Sequence, residues 1–389
     1  MNPDRRPGTP RLLRALNDRS ALELLLAHGP LTRAQLGELT GLSKVTASQL
    51  VERLEERGLV VRVGEQVGGR GPNAQLYAVV PSAAYVVGVH VGPKQVTAAC
   101  TDITGAIHGR VEVSVHDTDD PVGVVHSAVV EAAKDAGAAM TKVHQVVLGT
   151  PGLVDPDSGD IAFAWDLPRW HRGLLEALRA DLRRPVIFAN DVNLAAVAEA
   201  DRGAAAGVDD FVMVWVGRGL GLAIMLDGRL HHGSSGAAGE IGYLPVPGGQ
   251  VPHGVSKRVK GSFQRVAGTE AVRALARARG FKAATAAGAI AAAVAAGPAG
   301  EAVLDEFATR LALGVAAVCV VIDPALVVLG GEVALAGGPA LAERVEREVA
   351  AIAPVSPKVA VSGVPEDPVL HGALLTGLHS AREEIFSGE

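Results

Sequence analysis

Apolar positions in the first sixty residues fall into three short helical groups. In SALELLLAHGP, Leu22, Leu25 and Leu26 share one face and Gly29-Pro30 stops the run. In LTRAQLGELTG, Thr32 and Gln35 have the spacing of a capping box, Leu36 and Leu39 point inward, and Gly41 suits the C-terminal cap. In LSKVTASQLVERLEERGLV, Ser43 is a good N-cap, and Ala47, Leu50, Val51 and Leu54 follow the i, i+3, i+4, i+7 spacing of a buried stripe. The pattern then changes. Two strand-like runs flank GGRGPN, which predicts a hairpin with a glycine-rich tip. Three helices, the last two joined by a short glycine-containing turn, followed by a hairpin, predict a winged helix-turn-helix over residues 1–80.

On the third helix, the face opposite the apolar stripe carries Val45, Ser48, Gln49 and Arg53, flanked by Lys44 and Thr46. Small polar and basic side chains there fit a DNA major groove. Gln49 suits an adenine edge, Val45 a thymine methyl and Lys44 a phosphate. Arg70 on the hairpin tip suits a narrow minor groove. The bland alternative is a helical packing domain with a solvated face. Charge favours DNA: residues 1–85 hold eleven Lys and Arg against eight Asp and Glu, a net of +3, while the whole chain carries −6.

Residues 83–380 repeat one theme twice. AAYVVGVHVG, KQVTAACTD and GRVEVSV read as strands at meander spacing, VGVVHSAVVEAAKDAGAAM as a helix, and HQVVLGTPG as a strand ending in a glycine turn. Helical patterns over 174–181 and 192–205 flank the strand PVIFAND. FVMVWVGRGLG and LAIMLDGRL form a second strand pair, and a long helix over 301–321 leads to ALVVLGGEV. This predicts an α/β domain over 81–389, with two similar lobes and a cleft between them. The 389 residues, 48% hydrophobic and 20% charged, have the length for it. Cys100 and Cys319 each sit alone in an apolar run, which fits a reducing cytoplasm and neither a disulfide framework nor a zinc ribbon. MNPDRRPGTPRLL lacks the apolar core of a signal peptide. The longest uncharged stretch, 283–300, is mostly Ala and Gly with Pro298, too weak for a membrane span.

Four stretches in order, TPGLVDPDSGDI (150–161), FANDVNLAAVAE (188–199), GRGLGLAIMLDGRLHHGSSGAAGEIGY (217–243) and LGGEV (329–333), resemble those of the ROK family of repressors, open reading frames and kinases. With its head, the chain is similar to the transcriptional-regulator branch of that family, of the N-acetylglucosamine and xylose repressor type, over nearly all its length. The resemblance implies a two-lobed actin-like ATPase (ribonuclease H-like) fold, dimers or dimers of dimers, and sugar-responsive transcription control.

The resemblance also bears on catalysis. Kinases of the family have a stretch resembling GIDIGGTKI, whose acid helps manage Mg2+ and whose glycine-threonine turn cradles phosphate. The matching GVHVGPKQV (88–96) has His90 for the acid and Pro93 in the turn. Proline lacks an N–H, and neutral His is a poor Mg2+ ligand. The second phosphate loop matches Gly217-Arg218-Gly219-Leu220-Gly221 without a hydroxyl residue at Arg218, and equally makes a tight turn between strands. Gly330-Gly331-Glu332, where the kinases bind adenosine, equally reads as a packing turn. Asp191 matches the base that deprotonates a sugar hydroxyl. Without nucleotide it accepts hydrogen bonds from hydroxyls, and Asn190 and Asp191 also suit the cap of the following helix. No ATP use is expected and no catalytic residue is assigned.

Family members resemble GEIGH followed by a cluster of the form CxCGxxGCxE, whose His and Cys hold a structural zinc and whose His and glutamates touch sugar. Here AGEIGYLPV (238–246) keeps Glu240 and puts Tyr243 at the histidine, Ser262 at the last cysteine and Gln264 at the final glutamate. His253 alone cannot supply the roughly four ligands zinc takes, so zinc is expected to be absent. AWDLPRW (164–170) puts Asp166 where the family has asparagine. The expected ligand set is Asp166, Asn190, Asp191, Glu240, Tyr243 and Gln264. These groups suit a polyhydroxylated ligand, with Tyr243 able to stack on a sugar ring or to sit at a core edge. The expectation is a regulator of sugar genes, a repressor, that reads a palindromic operator as a homodimer or dimer of dimers. The alternatives are an ATP-dependent sugar kinase with an accessory head and a ligand-independent regulator with a vestigial pocket.

Overall fold

The computed structural model describes residues 10–66, 73–115, 120–163, 173–248, 250–253, 259–364 and 366–387. Arg70 and Asp166 lie outside the described residues.

The first helix is Pro10–His28, starting well before the apolar spacing from Ser20 indicated. The added turns read PRLLRALNDR. They are rich in good helix formers, with proline at the first position, where its missing N–H is not needed. The next helices are Arg33–Thr40 and Lys44–Glu56. The capping box closes: the Gln35 N–H reaches Thr32 Oγ1 at 3.2 Å, and the Thr32 N–H reaches Gln35 Oε1 at 2.9 Å. Gly41 takes φ +71°, which side chains disfavour, and Ser43 Oγ accepts from the Thr46 N–H at 3.2 Å. Leu36, Ala47, Leu50, Val51 and Leu54 are buried as expected. Leu39, expected inward, is half exposed, at the rim of an eight-residue helix. Strand Ala74–Val79 lies between Val60–Gln66 and Leu31–Thr32 and pairs antiparallel with both.

Two compact units make up the chain: 1–148 with 176–187 and 373–389, and 149–175 with 188–372. The head belongs to the first and has no core of its own. Leu22, Leu50, Leu54 and Tyr77 share one apolar cluster with Val86, Ile103 and, from the last helix, Leu378, Ala381 and Phe386. Arg57 adds a hydrogen bond to the Ile385 carbonyl at 2.5 Å. The boundary expected near residue 80 is a change of element type, not a break in packing.

Each lobe sheet repeats one topology. The first holds Tyr85–Val91, Gln95–Asp102, Ile107–Ser114, Val143–Thr150 and Val186–Asn190. The second holds Phe211–Val216, Leu220–Leu226, Arg229–Leu230, Leu326–Gly330 and Lys358–Val361. Counted along the chain, both have the order 3-2-1-4-5. The first three strands of each run as an antiparallel meander. In the second sheet the last two add in parallel, which requires crossovers, supplied by helices Glu301–Ile322 and Glu332–Ile352. This is the doubled α/β, actin-like arrangement. Val212, Val214 and Val216 bury one face of the second sheet against Phe263, Phe307 and Leu311. Alternation along the strand sends Met213 and Trp215 to the other face. Among the described residues no helix is long and apolar enough to cross a membrane.

Candidate functional site

The caps and buried stripe fix the helix Lys44–Glu56 with its outer face in solvent. Lys44 and Gln49 are exposed, Val45 is 67% exposed, and Thr46 and Ser48 are half-buried. The Thr46 hydroxyl shares a 2.9 Å hydrogen bond with Ser43 Oγ. Arg53 departs from the expectation that it lies on the DNA face. Its guanidinium turns back to buried Asp18 on the first helix, Nη2 to Oδ1 at 2.5 Å and Nε to Oδ2 at 3.5 Å. Arg57 stands 3.6 Å from the same carboxylate. Arg53 therefore anchors the third helix to the first. Its partner is 35 residues away in sequence, so helical spacing alone could not reveal it.

In the second unit, three of the candidate ligand residues are brought to one strand end, the start of Leu220–Leu226. The helix Asp191–Arg202 packs there through Val192: a Cβ on Gly221 would lie 2.9 Å from Val192 Cγ2. Gly239, at φ +93°, lets the turn before Glu240 press against the Leu222 carbonyl, where any Cβ would collide. Gln264, on the short helix Phe263–Ala267, accepts the Leu220 N–H at Oε1, 2.8 Å. Asp191, Glu240 and Gln264 thus each lie on or beside a residue that touches position 221, 222 or 220. Tyr243 ends the single turn Ile241–Tyr243 and is half-buried.

Asn190 is committed differently. Its Oδ1 caps the helix, accepting from the Val192 and Asn193 N–H groups at 3.0 and 3.1 Å, and its Nδ2 donates to the Gly152 carbonyl at 3.0 Å. It positions Asp191, the first residue of the helix, whose Oδ1 accepts from the Val192 N–H at 2.9 Å. At the other end of this helix, Glu199 is fully buried and accepts N–H groups from Ala204, Gly363 and Val364. Its only signal in the sequence is its place at the end of FANDVNLAAVAE.

The loop 217–221 is occupied by the protein itself. Besides the bond from Leu220 to Gln264, the Gly217 N–H donates to the Gly219 carbonyl at 3.1 Å, and the Thr269 hydroxyl donates to the Gly217 carbonyl. A Cβ on Gly217 would stand 2.5 Å from Glu332 Oε2 and 2.7 Å from Trp215 Nε1, so a carboxylate and an indole flank this glycine. A carboxylate beside the loop repels phosphate. In the other stretch the Gly92 N–H donates to the Gln95 carbonyl at 2.9 Å, beside Pro93, which has none. Trp215 carried no sequence signal that set it apart, and Glu332 stood out only as the end of the Gly330-Gly331-Glu332 turn.

Where the family pattern has cysteines, the segment is closed by backbone pairing. Val246 donates to Gly261 at 2.9 Å and Phe263 to Leu244 at 2.8 Å. Ser262 is buried, with its hydroxyl donating to the Val259 carbonyl at 2.8 Å. Among the described residues no three His, Cys, Asp or Glu side chains gather as metal ligands.

Residues 16–71 match the MarR family and residues 86–375 the ROK family. The chain is 27% identical over 242 residues to the DNA-binding transcriptional dual regulator NagC of Escherichia coli K12, covering 61% of this chain and 59% of that protein. It is 26% identical over 242 residues to the xylose repressor of Bacillus subtilis, covering 60% and 61%. The matched region spans about three fifths of these relatives' length. In fold it is similar, with a TM-score of 0.75 at 22% identity, to a ROK family transcriptional regulator described as a homologue of the E. coli MLC protein, over 97% of this chain and 100% of that one. A ROK hexokinase from Thermus thermophilus is similar with a TM-score of 0.65 at 26% identity, over 77% and 100%. With most of its length matched, the chain belongs to the ROK family.

Proposed function

We propose that the chain is a DNA-binding transcriptional regulator, a repressor of sugar-uptake or catabolism genes acting in the cytoplasm. Two copies read a palindromic operator, as a homodimer or dimer of dimers, and a sugar or sugar derivative held by Asp191, Glu240 and Tyr243 changes operator affinity. The observation that carries this reading is the exposed row Lys44, Val45 and Gln49 on a helix capped at its start and buried on its other face. Relatives named as repressors, one of them for xylose, support a sugar effector. We propose further that the second unit transfers no phosphate and holds no zinc. The internally bonded loop 217–221 and the backbone closure at 244–263 support this. The kinase reading is favoured by Asp191 and by the hexokinase likeness.

Genome-wide mapping of bound sites, followed by gel shift on a mapped site with a panel of sugars, sugar phosphates and amino sugars, tests the proposal. The expected result is release by one ligand class, lost in Glu240→Gln and unaffected by chelator. Equal operator affinity with and without every ligand overturns the effector part. ADP release over the same panel that disappears in Asp191→Ala establishes the kinase.

A further inference from the structure

The helix Thr269–Ala278, in the second unit, lies in a basic stretch of an acidic chain. Residues 260–282 hold six Lys and Arg against one acid, Glu270, a net of +5, while the whole chain carries −6. The inner face of the helix, Val272, Leu275 and Ala276, packs into the same core as Phe307 and Leu311. On its outer flank a groove of about 800 Å³ opens between this helix and the first half of Glu301–Ile322. Ala271, Ala274 and Ala278 line it at helical spacing, so no long side chain fills it. Arg265, Arg279 and Arg310 stand around it with Glu270 and Glu306, three cations to two carboxylates. The described residues that line it include none of Asp191, Glu240, Tyr243 or Gln264, and none of the loop 217–221.

The arginines do little to hold the two helices together. Arg310 Nε meets Glu306 Oε1 at 2.8 Å within one helix, and Arg265 Nη1 meets Glu270 Oε2 at 3.1 Å. The pair that crosses between the helices, Arg279 to Glu306, is 3.9 Å apart, beyond hydrogen-bond reach. These bonds use one donor of Arg265 and one of Arg310, and a guanidinium has several more to give. We propose that the groove binds a phosphorylated small molecule, at a site separate from the candidate sugar residues. The planar guanidinium fork takes phosphate oxygens in pairs, which suits it to this anion better than lysine. The volume falls within the ~300–1,000 Å³ of small-molecule sites. Glu270 and Glu306 orient the guanidiniums and can accept from hydroxyls of the ligand. A duplex or an acidic protein would draw equally on Arg273 and Arg277, which are exposed on the same helix outside the groove. The placement of three arginines around one concavity favours the small anion.

Calorimetric titration of the full chain with inorganic pyrophosphate and with glycerol 2-phosphate, at constant ionic strength, tests it. Neither probe has a sugar ring, so the outcome is independent of the sugar reading of Asp191 and Glu240. The expected result is saturable binding of one probe molecule per chain. It should weaken about tenfold or more in Arg279→Gln and in Arg310→Gln. It should weaken by less than about twofold in Arg273→Gln, which removes the same charge outside the groove. Ala274→Glu places a carboxylate on the groove floor, at an exposed helical position that glutamate suits, and should abolish binding with Tm unchanged. That variant decides the matter if an arginine variant fails to fold. No saturable heat from either probe with the parent protein overturns the site. Equal weakening in Arg273→Gln and Arg279→Gln overturns it in favour of a diffuse basic surface for nucleic acid or acidic protein. Binding that disappears in Glu240→Gln and survives Ala274→Glu overturns it as well, and assigns the probe to the sugar residues.

Discussion

Replacing Glu199 by alanine strips the acceptor from a fully buried junction. One carboxylate oxygen accepts the Ala204 N–H at 2.8 Å and the Gly363 N–H at 3.1 Å. The other accepts the Val364 N–H at 3.2 Å and the Ser362 hydroxyl. Three backbone N–H groups would be left unpaired, at about 1–3 kcal/mol each, so Glu199→Ala should cost about 3–6 kcal/mol after partial relaxation. That is a large part of the ~5–15 kcal/mol that holds a typical domain together. Glu199→Gln keeps the shape. With its amide nitrogen toward Ser362, whose hydroxyl can turn to accept, only the Val364 N–H loses its partner, at about 1–3 kcal/mol. Gly203→Ala drives a methyl into the carboxylate and should rank with alanine. Thermal unfolding of the full chain by circular dichroism checks the order. At roughly 2–4 °C per kcal/mol for a unit of this size, glutamine lowers Tm by several degrees and alanine by about 10 °C or more. An alanine variant melting within about 2 °C of the parent would refute the assignment. The same junction holds the far end of the helix that carries Asp191, so Glu199→Gln should also weaken any effector response at temperatures where the protein is still folded.

The remaining predictions concern the head and one histidine. Lys44→Ala should weaken binding equally at all sites and lower the salt slope of log affinity by about 1, measured by titration across salt concentrations. Arg53→Ala should act through stability instead, lowering Tm with site preference unchanged, because its guanidinium is held by Asp18. Phe386→Ala empties a fully buried site that the last helix shares with the head, at about 3–5 kcal/mol. Hydrogen exchange should then speed up across residues 44–56. His371 is pulled below its ordinary value, first by burial and then by Arg202, so the folded state resists its protonation. Stability should be complete above about pH 6.5 and fall as pH drops below it, and His371→Gln should flatten that slope in melts between pH 8 and 5.5.

The head was legible because local chemistry decides it. Thr32, Gln35, Gly41 and Ser43 each act within four residues, and the buried stripe of the third helix follows from periodicity alone. The doubled sheet was legible as a repeat of strand and helix patterns. What stayed hidden depends on contacts distant in sequence. Arg53 reads as a groove residue until Asp18 is seen beneath it. Gln264 reads as a ligand group until its oxygen is found on the Leu220 N–H, 44 residues away. Leu12, Leu13 and Leu16 belong to turns that the apolar spacing from Ser20 onward did not include.

A glycine loop binds phosphate when its N–H groups point outward and unspent. In the loop 217–221 two of them are spent, on Gly219 and Gln264, and Glu332 adds negative charge beside Gly217. Gln264→Ala frees the Leu220 N–H alone. It leaves Glu332 and Trp215 against Gly217, and it leaves Pro93 without a donor in the first turn. ADP release should therefore stay at background in that variant, even though Asp191 keeps the place of a base. The change should appear elsewhere. Gln264 ties its helix to the strand end that also bears on Val192 and Gly239, so its loss should loosen the supports of Asp191 and Glu240 together and weaken ligand-induced release of operator. A Gln264→Ala protein with an unchanged ligand response would mean that the strand end is only scaffold.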